Sequence, residues 1–417
     1  MSAPSRFTGN FTQQEPIPEA AIEAAVDVLR SGRLHRYNTA PGEISETVLL
    51  EQEFRNYLGA GYCLAVTSGG YAMQTALRAC GLKPGEPVLT NAFTLSPVPG
   101  AIVAAGGAPI LVEVTEDLVI DLADLERKAR SAKARLLLLS HMRGHLCDMD
   151  KLMAVAGATG MAVIEDCAHT MGAAWRGTKS GRHGLAACYS TQTYKHANSG
   201  EGGFIVSDDA ELVARATILS GSYMLYGTHA AGPTDDNYAD IRLDTPNCSG
   251  RMDNLRAAIL RPQIARLDHQ RERWNARYRL IEQALRNVPG IHLPNRPAEE
   301  TYVGSSIQFL LIGVGERGIL DFLSRAQRRG VALKWFGAPA PVAYTSRHDS
   351  WRYISPQPLP RTDDILSQLI DMRIPLTFSE DDCGLIGSII RDCALETRAA
   401  AASGTLQSIV ASAVGAT

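Results

Sequence analysis

Val163-Ile164-Glu165-Asp166-Cys167-Ala168-His169 and, ending 29 residues after its aspartate (195 − 166), Tyr189-Ser190-Thr191-Gln192-Thr193-Tyr194-Lys195 decide how this chain is read. The first stretch sets a carboxylate at the end of an apolar run. The second ends on a lysine just before the turn Gly200-Glu201-Gly202-Gly203. Further upstream, Thr67-Ser68-Gly69-Gly70-Tyr71-Ala72-Met73 follows the apolar run Cys63–Val66 and starts a helical pattern through Ala76 and Leu77.

Outward from these stretches, the chain alternates helices with short apolar strands from about residue 18 to 290. Val48, Leu50, Phe54, Tyr57 and Leu58 share a helical face that Gly59 closes. Strands are expected at Cys63–Val66, Pro87–Leu89, Pro109–Val114, Leu136–Leu139 and Met161–Ile164, and an antiparallel one at Phe204–Ser207. Continuous apolarity means burial on both faces, as in a parallel sheet under helices. Pro262 is expected to open a long helix with apolar positions at Ile264, Leu267, Trp274, Tyr278, Ile281 and Leu285, stopped by Pro289-Gly290. Strands at Ile307–Ile312 and Val331–Trp335 around a helix at Gly318–Arg328 predict a smaller α+β domain. The domains are thus 18–290 and 291–397, with an Ala/Ser/Gly-rich tail at 398–417.

Two domains suit a chain of 417 residues. Apolar content of 45% and charged content of 20% are those of an ordinary globular protein. The net charge of −3 and the lack of a basic block exclude nucleic acid as an expected partner. No apolar run of about 18 residues is present, so a membrane span is excluded, and the N-terminus lacks a signal core. Eight scattered cysteines without C-x-x-C spacing suit free thiols in a reducing cytoplasm.

Asp166 falls where a strand ends, the edge at which open α/β sheets bind ligands. Alternation along the strand lets only one of Glu165 and Asp166 face inward; the alternative role is to cap the next helix. Lys195 ends a segment without other charges, where lost hydration lowers an amine's pKa and frees it to attack a carbonyl; the alternative is a solvated surface lysine. The glycines at 69–70 let backbone N–H groups approach an anion at a helix start, and Ser190 offers a hydroxyl. Together these are the parts needed to hold pyridoxal 5′-phosphate (PLP): lysine for the aldehyde, acid for the ring nitrogen, helix start for the phosphate. His141, Arg143 and His145 follow a strand and can meet substrate or bond within their loop; no further ligands accompany them for a metal. Residues 223–237 read as a lid or a long surface loop. Lys334-Trp335-Phe336-Gly337 and Trp351-Arg352-Tyr353 read as substrate walls or as packing.

With these motifs in view, residues 20–390 resemble the DegT/DnrJ/StrS family of PLP-dependent sugar aminotransferases. The resemblance rests on Ser68-Gly69, Glu165-Asp166-Cys167-Ala168-His169, Ser190 five residues before Lys195, Gly200-Glu201-Gly202-Gly203 and Arg251-Met252. It implies the aspartate-aminotransferase-like fold type I, a large α/β domain with a mainly parallel sheet plus a small C-terminal α+β domain, working as a homodimer with interface active sites. It also implies that Lys195 joins the cofactor covalently, that Asp166 faces the ring nitrogen and that His169 lies against the ring. Gly70, Tyr71 and Ser190 would bind phosphate, with Ser249 approaching from the other subunit. The chain departs from the family in three places. Gly70-Tyr71 stands where Thr-Ala is usual, and Ser249-Gly250 where Asn-Tyr is usual. Leu95 follows Thr94 where an aromatic usually stacks on the ring, leaving Phe93 as the nearest aromatic.

The implied reaction moves an amino group from glutamate or glutamine to a keto sugar or related cyclic ketone. Lysine-retaining members that make aromatic or cyclitol amines are the alternative acceptor reading. Members with histidine at the lysine position remove a hydroxyl, and a non-catalytic member would lack the lysine or the acid; here Lys195 and Asp166 are both present.

Overall fold

The computed structural model describes residues 5–222, 225–343 and 345–406. Seven strands form the central sheet, in spatial order Tyr62–Val66, Gly203–Ser207, Ala186–Ser190, Ala162–Asp166, Leu136–Ser140, Pro87–Asn91 and Ala108–Val112. Six of them run in one direction; only Gly203–Ser207 is reversed, antiparallel to both of its neighbours. Both faces are buried, as the continuous apolar runs require. Leu64, Leu138, Ile164 and Ile205 pack under the helix Gly69–Ala79, and Leu137, Leu139 and Val163 under the opposite layer. This is the fold type I architecture expected from the sequence.

The helix Glu46–Leu58 ends at Gly59 in the left-handed conformation (φ 69°), as the apolar face and the glycine foretell. A second sheet follows, in order Ile291–His292, Ser306–Leu311, Leu369–Arg373 and Lys334–Trp335, with its own core around Phe309, Phe322 and Ile370. The helix Glu380–Ala402 packs along the long helix Leu267–Leu285 and includes the start of the predicted tail; residues 407–417 lie outside the described residues.

Two boundaries differ from expectation. Pro262 does not open the long helix but sits in the last turn of the preceding one, Asn254–Ile264, which Asp253 caps. Its missing N–H forfeits one bond there, and the helix ends two residues later. Val331 is not in a strand, because its N–H bonds back to Ala326 O and closes the helix Gly315–Arg328; only Lys334–Trp335 pairs. In the loop 223–237, residues 223 and 224 lie outside the described residues. The rest is anchored: His229 Nδ1 lies 2.9 Å from Tyr37 Oη and 3.3 Å from Arg36 Nη2, beside the buried Arg36–Glu51 pair.

All eight cysteines are free, and among the described residues no helix is long and apolar enough to cross a membrane.

Glu165 positions the site from below. Its carboxylate accepts from the N–H groups of Gly181, His183 and Gly184 and lies 2.9 Å from His141 Nε2. Burial alone would raise this carboxyl; His141 and the Gly184 N–H outweigh it and hold it at about 2. Glu165→Ala strands three backbone donors and a histidine. The expected loss is about 3 kcal/mol or more in urea unfolding, at about 1–3 kcal/mol per buried unsatisfied donor. A loss below about 1 kcal/mol, the range of ordinary surface changes, would remove Glu165 from this role.

Candidate active site

A cavity of about 1010 Å³ opens at the carboxyl ends of the parallel strands. Its floor brings together Gly69, Gly70, Asp166, His169, Ser190 and Lys195, with Leu95 on its wall. Six of the eight sequence-derived site residues therefore meet in one cleft: Lys195, Asp166, His169, Ser190, Gly70 and Leu95.

Asp166 is 4% exposed and points to the face opposite Glu165, as strand alternation demands. Its Oδ2 accepts from Ser140 Oγ at 2.9 Å, Oδ1 accepts from Ala168 N–H at 3.1 Å, and Thr94 Oγ1 donates to Ser140 Oγ at 2.8 Å. Among the described residues Asp166 has no ion-pair partner, which leaves a nearly dry carboxylate facing the cleft.

Lys195 Nζ lies 2.9 Å from His169 Nε2. Burial, then repulsion from Arg143, lowers the amine to about 7; Asp166 opposes the shift and Arg373 adds to it. Burial also drives His169 well below the usual imidazole range, so its ring is neutral and Nε2 accepts from the amine. Beside it, burial and the Lys195 charge push His196 down to about 3, and its Nε2 bonds Ser305 Oγ at 3.1 Å.

At the helix start, the position of Ser190 requires Gly69: a Cβ there would lie 2.8 Å from Ser190 Cβ. A Cβ at Gly70 would meet nothing within 4 Å, so this helix N-terminus opens on free space. A carboxylate without a cationic partner, a dehydrated lysine and an open helix start fit PLP at the ring nitrogen, the aldehyde and the phosphate respectively.

Two expected residues are not in this cleft. Tyr71 turns away, its hydroxyl donating to Cys248 O at 2.8 Å and Leu219 O at 3.1 Å. The glycine at 250 makes room for that ring, since a Cβ there would lie 2.0 Å from it. Ser249 is exposed on the same segment, where its Oγ accepts from Arg251. Phe93 is no substitute stacking ring: it is buried edge-on against Phe336, 5.0 Å between centroids. Of the other candidates, His141 bonds Glu165 and His145 Nε2 bonds Gln308 Oε1, so both serve their surroundings. Trp335, Phe336 and Trp351 are buried packing, whereas Arg143 and Lys334 do face the cleft.

Sequence reasoning missed Arg373 and Asp371, on the strand Leu369–Arg373, and the Thr94–Ser140 relay behind Asp166. The relay was detectable, because Ser140 directly follows the Leu136–Leu139 run and so lies at the same sheet edge as Asp166.

Over residues 16–391 the chain matches the DegT/DnrJ/EryC1/StrS aminotransferase family. It is 31% identical over 248 residues to the spore coat polysaccharide biosynthesis protein SpsC of Bacillus subtilis, aligning 58% of this chain with 62% of that protein. It is 33% identical over 281 residues to dTDP-3-amino-3,4,6-trideoxy-alpha-D-glucose transaminase of Streptomyces venezuelae, 66% of this chain against 68% of that one. The matched part thus spans about two thirds or less of these relatives' length. The solved structure of S. venezuelae DesV is similar with a TM-score of 0.74 and 27% identity, over 90% of this chain and 94% of that one. With the match running from the N-terminal segment to the last helix, this chain belongs to the DegT/DnrJ/EryC1/StrS aminotransferase family.

Proposed function

We propose that this protein is a PLP-dependent aminotransferase moving an amino group from glutamate or glutamine to a keto sugar or related cyclic ketone. The observation that carries the reading is the meeting of the Lys195 amine and the unpaired Asp166 carboxylate in one cleft at the sheet edge. Relatives named for polysaccharide biosynthesis and for a dTDP-amino-sugar transamination support a sugar-like acceptor.

When bound, PLP supplies an aldehyde and a cationic ring that withdraws electrons from the substrate carbon. Asp166 holds the proton on the ring nitrogen, since opposite charges at short range favour both charged forms. Ser140 and Ala168 N–H keep that carboxylate aimed. Lys195 Nζ, neutral in part near pH 7, is the covalent attachment point and then the base that takes and returns the proton at the substrate carbon. His169 Nε2 holds the amine in place. The N–H groups at Gly69 and Gly70, with Ser190 Oγ, hold the phosphate. Leu95, on the cleft wall, would lie against the ring and keep water from it.

The working unit is a homodimer, with Ser249 reaching the partner's phosphate site. Ile22, Leu29, Leu34, Ile44 and Leu243 are exposed on the single chain, apolar side chains that a second copy would cover. The separate sheets support two domains divided near residue 290, although the core of the second also takes in Phe7, Tyr278, Ile281 and Leu285, and the helix Glu380–Ala402 carries the second domain into the predicted tail. The free thiols are consistent with a cytoplasmic setting.

Three outcomes are expected. Protein given PLP turns yellow, and borohydride reduction followed by peptide mapping labels Lys195; Lys195→Ala stays colourless and loses activity by more than about 10³-fold. Labelling of a different lysine refutes the site. In cofactor-free protein, trinitrophenylation of Lys195 rises through about pH 7 instead of the 10.5 of an ordinary lysine. Arg143→Met, which removes a repelling charge, moves that midpoint up, and Asp166→Asn moves it down; a wild-type midpoint near 10 contradicts the dehydrated amine. Light scattering returns twice the chain mass of 44.9 kDa, and a monomer would rule out interface sites.

A further inference from the structure

Arg143 enters the cleft from a turn that its own backbone resists. The residue is held in the left-handed conformation (φ 55°, ψ 21°), and so is Gly144 after it (φ 81°). A residue with a side chain stays in that region only where its surroundings over-determine it. The guanidinium is held by the small sheet, Nη2 donating to Asp371 Oδ2 at 2.7 Å. The backbone of the turn is held by two residues that do not line the cleft, Arg296 and Glu300. Arg296 Nη1 donates to Gly144 O at 2.6 Å, and Leu146 N–H donates to Glu300 Oε1 at 3.1 Å. The same Nη1 also donates to that Oε1 at 2.8 Å, which closes the contacts into a ring.

The side chains of this pair are 7% and 1% exposed, and the guanidinium lies over the rings of Tyr302 and Tyr278, 5.0 and 5.7 Å from their centroids. Dehydrating two charges offsets their attraction, so a buried pair is a poor source of stability by itself. Nor is the pair needed to fasten the linker on which it sits. Glu300 and Thr301 already pair with Trp175 and Ala174 as strand residues, and Asn275 Nδ2 donates to Tyr302 O at 2.9 Å. What the two side chains reach, and the backbone pairing does not, is the turn that carries Arg143.

We propose that Arg296 and Glu300 are positioning residues for Arg143 and, through it, for the Lys195 amine. This rests on the dehydrated-lysine reading above and extends it to residues outside the cleft. The turn is tied on its other side to the strand that ends in Asp166, His141 N–H donating to Asp166 O at 3.1 Å. Sheet and buried pair together therefore fix where Arg143 stands. After burial, Arg143 is the charge that most lowers the amine. Asp166 and His169 of the large sheet, His196 of the lysine's own loop and Arg373 of the small sheet share the cleft with it. Lys334, Asp371, Arg266, Glu201 and Glu15 line the same cleft. Among the described residues none of these is bonded to Arg296 or Glu300, so a change in the pair reaches the amine through the turn.

The test reads trinitrophenylation of Lys195 against pH in the cofactor-free full chain. Arg296→Met is expected to raise the midpoint from about 7 by about half a pH unit or more, in the same direction as Arg143→Met. Arg296→Lys can still donate to Gly144 O, and Glu300→Gln can still accept from Leu146 N–H, so each should raise it less. In an Arg143→Met background Arg296→Met should add nothing, because the charge it positions is gone. An Arg296→Met protein that loses stability to urea yet keeps the wild-type midpoint overturns the proposal, since the pair would then be structural only. An equal shift with and without Arg143 overturns it too. Should Arg296→Met fail to fold by circular dichroism, the two milder variants decide, and two unmoved midpoints refute the positioning role. A wild-type midpoint near 10 refutes the dehydrated amine and this inference with it. A wild-type midpoint near 7 that no variant moves refutes this inference alone.

Discussion

Alternation of side chains across the strand Ala162–Asp166 is the constraint on which the site depends. Two adjacent carboxylates must leave the backbone on opposite faces, so they meet opposite environments. Glu165 goes into a shell of N–H donors and becomes a fastener for the loop 181–184. Asp166 goes to the ligand edge, steadied by Ser140 and Ala168 but given no cation of its own. A slip of one residue in register would exchange them, leaving the loop unfastened and the cleft with the wrong acid.

Dehydration does the complementary work on Lys195. The amine ends a loop pressed between the sheet edge and the small sheet, and the arginines from that second sheet and from the turn after Leu136–Ser140 repel its proton. The lysine is therefore neither a surface charge nor an ion-pair partner. Its nearest contact is a histidine that burial keeps neutral. The chemistry of the site is distributed: the large sheet supplies acid and amine, and burial, then Arg143, with a smaller push from Arg373 of the small sheet, sets how readily that amine gives up its proton.

Much of this is legible in the sequence because it is local. Apolar runs ending in Glu165-Asp166 or Ser140 mark strands and their carboxyl edges, and Ser68-Gly69-Gly70 marks a helix start next to a strand. What was not legible depends on contacts distant along the chain. Arg373 comes into the cleft only because Leu369–Arg373 pairs with Lys334–Trp335, the stretch already read as a candidate substrate wall, and nothing near Arg373 itself announces that. Tyr71 was misplaced for a similar reason. Its neighbours suggest a phosphate loop, but a bare backbone at Gly250 gives its ring a berth 179 positions away (250 − 71), and the hydroxyl follows. Pro262 shows the opposite error: the local rule that proline starts helices is sound, yet here it sits in the last turn of the preceding helix, forfeiting one bond just before that helix ends.

Arg143 occupies a backbone conformation that suits glycine, at an expense of about 1–3 kcal/mol. The next residue, Gly144, is also left-handed (φ 81°) and packs so closely that a Cβ there would lie 3.1 Å from His169 O and 3.2 Å from Val303 O. The guanidinium is thus aimed before any ligand arrives, and its rotamer freedom is surrendered once, during folding. Each later encounter finds the group already oriented. Such preorganisation favours long residence of a matching guest and quick rejection of a mismatched one, at the expense of the resting molecule's stability.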